Sequence, residues 1–279
     1  MSKINYNALA IDGLQEVFIQ ISETCKELKI DFFIIGAIAR NIWYVSNNEN
    51  SKGTKDIDFG VYISDVKKYN ELRAELKRKY DYKESAVNTF CLLTKDGKQI
   101  DLLPFGEIEQ EGQVIIEGKG LTTVKLDGFK EVFEFGANEV KIGDEKYKSC
   151  SIPGIMILKL IAYDDRPHMR TKDIDDINSI CLYYPSIESD YIWGNHFDLY
   201  EGDLEHEEVG VIVLGREMKK LVSTNKNLVE RITKIIDQAI EQESTVLSLM
   251  IQDSENETIA DKKNIMEKLK LGFTQNASS

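Results

Sequence analysis

Thr54-Lys55-Asp56-Ile57-Asp58-Phe59-Gly60-Val61 is the stretch on which the reading of this chain turns. It is strand-like, and side chains two apart on a strand leave the same face, so the carboxylates of Asp56 and Asp58 point one way. Like charges held that close repel unless something neutralises them, which divalent cations do best. Upstream, Asp31-Phe32-Phe33-Ile34-Ile35 is a short apolar run ending at Gly36, read as a buried strand and a tight turn. Ala37 to Val45 reads as a helix after that turn. Downstream, Asn88 to Leu93 and Gln99 to Leu103 flank Asp96-Gly97, a hairpin signal whose second arm carries Asp101. An acidic pair with a third acid on a neighbouring strand is what a two-metal phosphoryl-transfer site needs.

The acids sit in costly surroundings. Ile57, Phe59 and Val61 flank the first two, and Ile100, Leu102 and Leu103 flank the third, where an unpaired carboxylate is expensive to bury. An exposed Asp-x-Asp in a turn, or a solvated strand end beside Pro104, is the plainer alternative. The strand–Gly–helix element places backbone N–H groups at a helix N-terminus, where they and the helix dipole suit a triphosphate. Gly36, Ala37 and Arg40 are the expected nucleotide contacts there, although a glycine after a strand is also an ordinary turn.

The chain has 279 residues, 42% of them hydrophobic and 30% charged, in the range of a globular protein. No apolar run approaches the roughly 20 residues that span a bilayer. Met1-Ser2-Lys3-Ile4-Asn5-Tyr6 lacks the apolar core of a signal peptide. Cys25, Cys91, Cys150 and Cys181 are scattered, which fits buried thiols in a reducing compartment, so the cytoplasm is expected. A net charge of −13 argues against a broad nucleic-acid-gripping surface but leaves room for a local basic patch.

Val17 to Leu28 and Asp65 to Lys79 read as helices, Ser46 to Gly53 as a polar loop, and 112–148 as short strands and Gly turns. Ile155 to Tyr163 is a strongly apolar helix, Arg166 to Lys172 a basic loop, and Asp173 to Tyr183 a further helix that Asp173 is expected to cap. Charged helices follow to Phe273, and Gln275 to Ser279 is expected to fray. The parse is an α/β catalytic half over residues 1–150 and a mostly helical half over residues 151–279. Lys159 interrupts the apolar helix, where its charge needs a route to water or an anion. Arg166, Arg170 and Lys172 are the local candidates for phosphate contact, or else a solvated loop. His168, His196 and His206 lack metal-like spacing, and Trp43 and Trp193 read as packing.

Gly turn, Asp-x-Asp and third acid in this order resemble the nucleotidyltransferase superfamily related to DNA polymerase β. Leu158-Lys159-Leu160-Ile161-Ala162-Tyr163-Asp164-Asp165-Arg166-Pro167, followed by Arg170-Thr171-Lys172-Asp173-Ile174-Asp175-Asp176-Ile177, is similar to the AbiEii-type toxin nucleotidyltransferases. The resemblance covers Phe33 to Tyr184. It implies an α+β fold, a polymerase β-like core with a mixed sheet followed by a helical domain that walls a cleft. It also implies that Asp56, Asp58 and Asp101 hold two Mg²⁺ ions and that an NTP sits at the Gly36 turn. Lys159, with Lys172, Asp173 and Asp176, would close the site over the nucleotide. Transfer of NMP to an acceptor hydroxyl follows, with pyrophosphate as the second product. By the same resemblance the acceptor is a tRNA 3′ end, met by Arg166, Arg170 and Lys172. The protein would then be the toxin of a type IV toxin–antitoxin or abortive-infection system, with an antitoxin protein as partner. Ala37 stands where the family often has Ser, so one hydroxyl ligand is absent. Two other readings stay open: an aminoglycoside nucleotidyltransferase, which an acidic protein suits, and a catalytically inactive binding module of the same fold.

Overall fold

Alternation of apolar and polar residues along two central strands sets the layers of the N-terminal half. The computed structural model describes residues 4–9, 11–51, 53–54, 56–241, 244–252 and 256–275. Met1 to Lys3 of the expected non-signal N-terminus, Lys52 of the polar loop, Lys55 of the central motif and Asn276 to Ser279 of the expected frayed tail lie outside the described residues. The chain divides into two units, Met1–Ser151 and Ile152–Ser279.

The first unit runs α1 (Leu14–Leu28), β1 (Phe32–Ile34), α2 (Gly36–Ser46), β2 (Asp56–Tyr62), α3 (Val66–Tyr80), β3 (Lys83–Glu84), β4 (Cys91–Leu93), β5 (Gln99–Phe105), β6 (Gln113–Ile115), β7 (Thr123–Lys125), α4 (Phe129–Gly136), β8 (Ala137–Ile142) and β9 (Glu145–Cys150). Its main sheet has the order β3-β4-β5-β2-β1-β9-β8, while β6 and β7 form a separate ribbon. β2 pairs with β5 in parallel, as β1 does with β9, and the other neighbours are antiparallel. Parallel neighbours need a long crossover, which α3 and the β3–β4 ribbon supply between β2 and β5.

Ile57, Phe59 and Val61 are fully buried on one face of the sheet, beside Ile100 and Leu102 of β5. Helices cover that face: Phe18 of α1 meets Phe59 edge-on at 5.5 Å, and Tyr69 of α3 donates its hydroxyl to the Leu102 carbonyl at 2.8 Å. On the other face Phe33 meets Phe105 at 5.6 Å and Phe133 of α4 at 5.4 Å. α4 corrects the expectation of strands and turns only through 112–148. Gly128, left-handed at φ 85°, opens the helix, and Phe129, Val132 and Gly136 recur at helical spacing to form its buried stripe.

The second unit contains α5 (Ile152–Asp165), α6 (Thr171–Ile187), α7 (Ser189–Asn195), α8 (His206–Val222), α9 (Lys226–Ile240), α10 (Thr245–Met250) and α11 (Ile259–Thr274). α5 is apolar nearly all round and buries Ile155, Met156, Ile157, Leu160 and Ile161. α8 and α11 cross with their backbones in contact. A Cβ on Gly215 would lie 2.7 Å from the Phe273 nitrogen, and one on Gly272 would lie 3.0 Å from the Ile212 Cα. The chain is thus α+β, a mixed sheet followed by helices, as the sequence predicts. No described helix is long and apolar enough to cross a membrane.

Phe33 is fully buried and anchors the aromatic cluster on the face that α4 covers. Phe33→Ala is expected to lower unfolding stability by about 3–5 kcal/mol, the usual cost of a large aromatic cavity. Urea denaturation followed by circular dichroism reads this directly.

Candidate active site

Register decides which acids meet. Asp58 lies directly opposite Asp101 across the parallel β2–β5 pair, and Asp56 lies opposite Gln99. Partners in register share a face, so Asp58 and Asp101 rise side by side from the sheet and Asp56 follows on the same face. Asp58 and Asp101 are half-buried, and Asp56 is exposed at the strand start. On the far side of β5, Cys91 faces Asp101 in the antiparallel register. Burial pushes the Cys91 thiol up to about 12, and the charge of Asp101 and a hydrogen bond to it push the same way. Nothing in the spacing of the cysteines marks this neighbour; it follows from the β4–β5 register alone.

All the donors offered by the acids are oxygens, a set that suits a hard cation such as Mg²⁺. Among the described residues, however, no group of three or more His, Cys, Asp or Glu side chains is gathered so as to hold a metal ion. The donor set that the sheet assembles is the Asp58–Asp101 pair, with Asp56 one pleat away.

The Gly36 turn stands beside this pair. The Ile35 N–H donates to the Asp58 carbonyl at 3.1 Å, which ties the turn to β2. Gly36 has φ +66°, a left-handed conformation that favours glycine. A Cβ there would lie 3.1 Å from Asp58 Cγ and overlap the carboxylate. The carboxylate therefore packs directly on the backbone that opens α2. No side chain caps that helix, whose N-cap is Ile35, so its first N–H groups have no capping side chain. Ala37 is half-buried in this first turn. Arg40, only 3% exposed, donates to Asn41 Oδ1 at 2.9 Å and lies over the Tyr44 ring; burial lowers its pKa.

The remaining candidates belong to the second unit. Lys159 Nζ is 2.6 Å from Asp173 Oδ1 and 2.6 Å from Asp176 Oδ2, and all three side chains are largely buried. Asp173 and Asp176 are one turn apart on α6, so both carboxylates reach the single ammonium. Asp173 is not the helix cap. α6 begins at Thr171, Asp173 falls in its first turn, and its side chain is spent on Lys159. Its second oxygen, Oδ2, is buried without a hydrogen-bond partner. Arg170 and Lys172 are exposed, while Arg166 is half-buried. Burial and then the nearby Arg170 lower the Arg166 pKa, against the opposing pull of Asp165 and Asp173.

No family model matches the chain, and no curated protein matches it. Several solved structures are similar in fold. The antibiotic-resistance factor ANT(2'')-Ia, in a solution structure, is 15% identical over 68% of this chain and 97% of its own, with a TM-score of 0.41. An antigenic nucleotidyltransferase-like protein from Paracoccidioides brasiliensis is 12% identical over 83% of this chain and 94% of its own, with a TM-score of 0.37. The Thermotoga maritima CCA-adding enzyme, complexed with tRNA, is 10% identical over 97% of this chain and 82% of its own, with a TM-score of 0.28. Scores this low carry no functional assignment. What points to chemistry is the geometry of Gly36, Asp58 and Asp101.

Replacing Lys159 by Met removes one cation from two buried carboxylates. Breaking a buried ion pair on one side costs about 3–5 kcal/mol, because the other charge is left uncompensated. Lys159→Met is expected to lose stability on that scale in a denaturant titration. Adding Asp173→Asn and Asp176→Asn to the same chain should restore most of it.

Proposed function

We propose that this chain is a metal-dependent nucleotidyltransferase that moves NMP from an NTP to an acceptor hydroxyl. The observation that carries the reading is Asp58 in register with Asp101 on parallel strands, with the Asp58 carboxylate packed on the uncapped start of α2. Asp58 and Asp101, with Asp56 following on the same face, are the residues that would hold Mg²⁺. A divalent cation held by these carboxylates would supply neutralisation of triphosphate charge and a lowered pKa for the acceptor hydroxyl. Gly36 and Ala37 offer backbone N–H groups to phosphate oxygens, and the α2 dipole favours that charge. Arg40 adds buried positive charge one turn into the same helix. The Gly36 turn keeps the Asp58 carboxylate against the helix start, so phosphate and cation are received at adjacent points.

In the second unit, Lys172 and Arg170 are exposed cations suited to an RNA backbone, with Arg166 beside them. Lys159 is already neutralised by Asp173 and Asp176, so it meets a pyrophosphate only when those carboxylates give it up. The motif from Leu158 to Ile177, with its likeness to AbiEii-type toxins, favours a tRNA 3′ end as acceptor. It likewise favours a role as the toxin of a toxin–antitoxin pair in the cytoplasm, with an antitoxin as protein partner. One property supports a second acceptor: a net charge of −13 suits a cationic aminoglycoside.

Incubation with Mg²⁺, each labelled NTP in turn, and either total tRNA or tobramycin decides between these acceptors. Labelled tRNA supports the first reading, and labelled tobramycin with unlabelled tRNA replaces it with the second. Asp58→Asn and Asp101→Asn should each lower transfer by at least about a hundredfold, the scale of losing a main electrostatic group. Arg170→Glu should sharply lower transfer to tRNA while leaving NTP binding by calorimetry unchanged. Nucleotide binding without transfer to either acceptor would mark an inactive binding module.

A further inference from the structure

From Asp173 to Gly215 the sequence contains no Lys or Arg, while acidic residues recur throughout. This stretch folds into α6, α7 and the start of α8, and it carries a half-exposed tryptophan. Trp193 was expected to pack away, yet it is 51% exposed. Its ring lies parallel to Tyr200, with centroids 3.9 Å apart and planes 6° apart. It is also parallel to His206, at 5.8 Å and 10°. Phe197, in the turn between these residues, is 69% exposed.

The floor beneath Trp193 is locked. The Tyr200 hydroxyl lies 2.7 Å from His206 Nδ1, and His206 Nε2 lies 3.2 Å from the Pro185 carbonyl. A carbonyl only accepts, so Nε2 donates to Pro185, and the Tyr200 hydroxyl pairs with Nδ1. Tyr200 and His206 therefore form one hydrogen-bonded aromatic floor, and Trp193 rests on it with its outer ring face open.

The exposed charges that this stretch carries have one sign. Asp190, Glu201, Asp203, Glu205 and Glu207 are exposed on α7, the following turn and the start of α8. The nearest following cation, Arg216, is already bidentate to Asp198, at 3.0 and 2.7 Å. A stacked nucleobase would bring its phosphates toward these carboxylates, an unfavourable approach. An aromatic face ringed by carboxylates instead matches a planar cation, whose charge meets the ring quadrupole and the acids together.

We propose that the Trp193–Tyr200–His206 stack and its surrounding carboxylates are a docking surface for an arginine-bearing, basic segment of a partner protein. A guanidinium lies flat on Trp193, and neighbouring basic residues of the segment meet Glu201, Asp203 and Glu205. The surface stands independently of the nucleotidyltransferase reading.

The test uses the full chain and three synthetic peptides: one alternating Arg with Gly, one with Lys in place of Arg, and one with citrulline in place of Arg. Fluorescence anisotropy of labelled peptides gives the affinities. The Arg peptide should bind, Trp193→Ala should weaken it roughly two- to thirtyfold, and Trp193→Phe should retain part of the binding. The citrulline peptide should not bind, and the Lys peptide should bind more weakly than the Arg peptide. The chain has two tryptophans, so a binding-induced change in intrinsic fluorescence should disappear in Trp193→Phe. Glu201→Gln with Asp203→Asn alters only exposed groups and should weaken binding without changing the melting curve. Unchanged affinity in Trp193→Ala, or equal affinity for the Lys and Arg peptides, would overturn the platform. Tighter binding of a uridine-rich oligonucleotide than of the Arg peptide would overturn the choice of partner.

Discussion

The parallel pairing of β2 with β5 is the constraint on which the first unit depends. It seats Ile57 and Phe59 beside Ile100 and Leu102 on a face sealed by α1 and α3, and so forces Asp58 and Asp101 together on the other. The two consequences are inseparable, because side chains alternate across a strand. A one-residue slip of β2 would bury Asp58 and expose the apolar set of that strand. The hydrophobic effect that fixes the register thus holds two like charges side by side. Repulsion between them is a cost the apolar face outweighs.

The Gly36 turn adds to this arrangement through a steric requirement. Asp58 packs against the backbone at Gly36, in space a Cβ would occupy, and the Ile35 N–H bonds to the Asp58 carbonyl. Glycine thereby serves two purposes, allowing the left-handed backbone and clearing room for the acid. The start of α2 and the carboxylate are held as one piece, which places N–H donors and a carboxylate side by side.

Charge is handled differently in the second unit. Lys159, Asp173 and Asp176 form a mutually neutralising group between α5 and α6, leaving one net negative charge and an unpartnered Asp173 oxygen in a largely buried place. Such a group adds little to stability as a whole, yet removing one member is costly. Beyond it, the exposed Arg170 and Lys172 precede a long stretch without any cation. The surface therefore passes within a few turns of helix from a basic loop to a wholly acidic, aromatic-bearing segment, and the two suit ligands of opposite charge.

Much of the first unit was legible in the sequence, because local rules decide it. Period-two alternation marked β2, the apolar run ending in glycine marked the β1–α2 turn, and Asp96-Gly97 marked the ribbon that carries Asp101. Those same rules placed Asp56 and Asp58 on one face. α4 was missed because Gly128 and the surrounding strands read as turn signals, while its Phe129, Val132 and Gly136 stripe is too short to stand out. Other features were open to no local rule. That Asp101 stands opposite Asp58 rather than Asp56, and that Trp193 lies open on Tyr200 and His206, depend on how separate elements pack on one another. Local pattern determines which face a side chain takes, since backbone geometry sets the period. Tertiary packing decides which partner it meets there, since register and crossing are settled by burial across the whole unit.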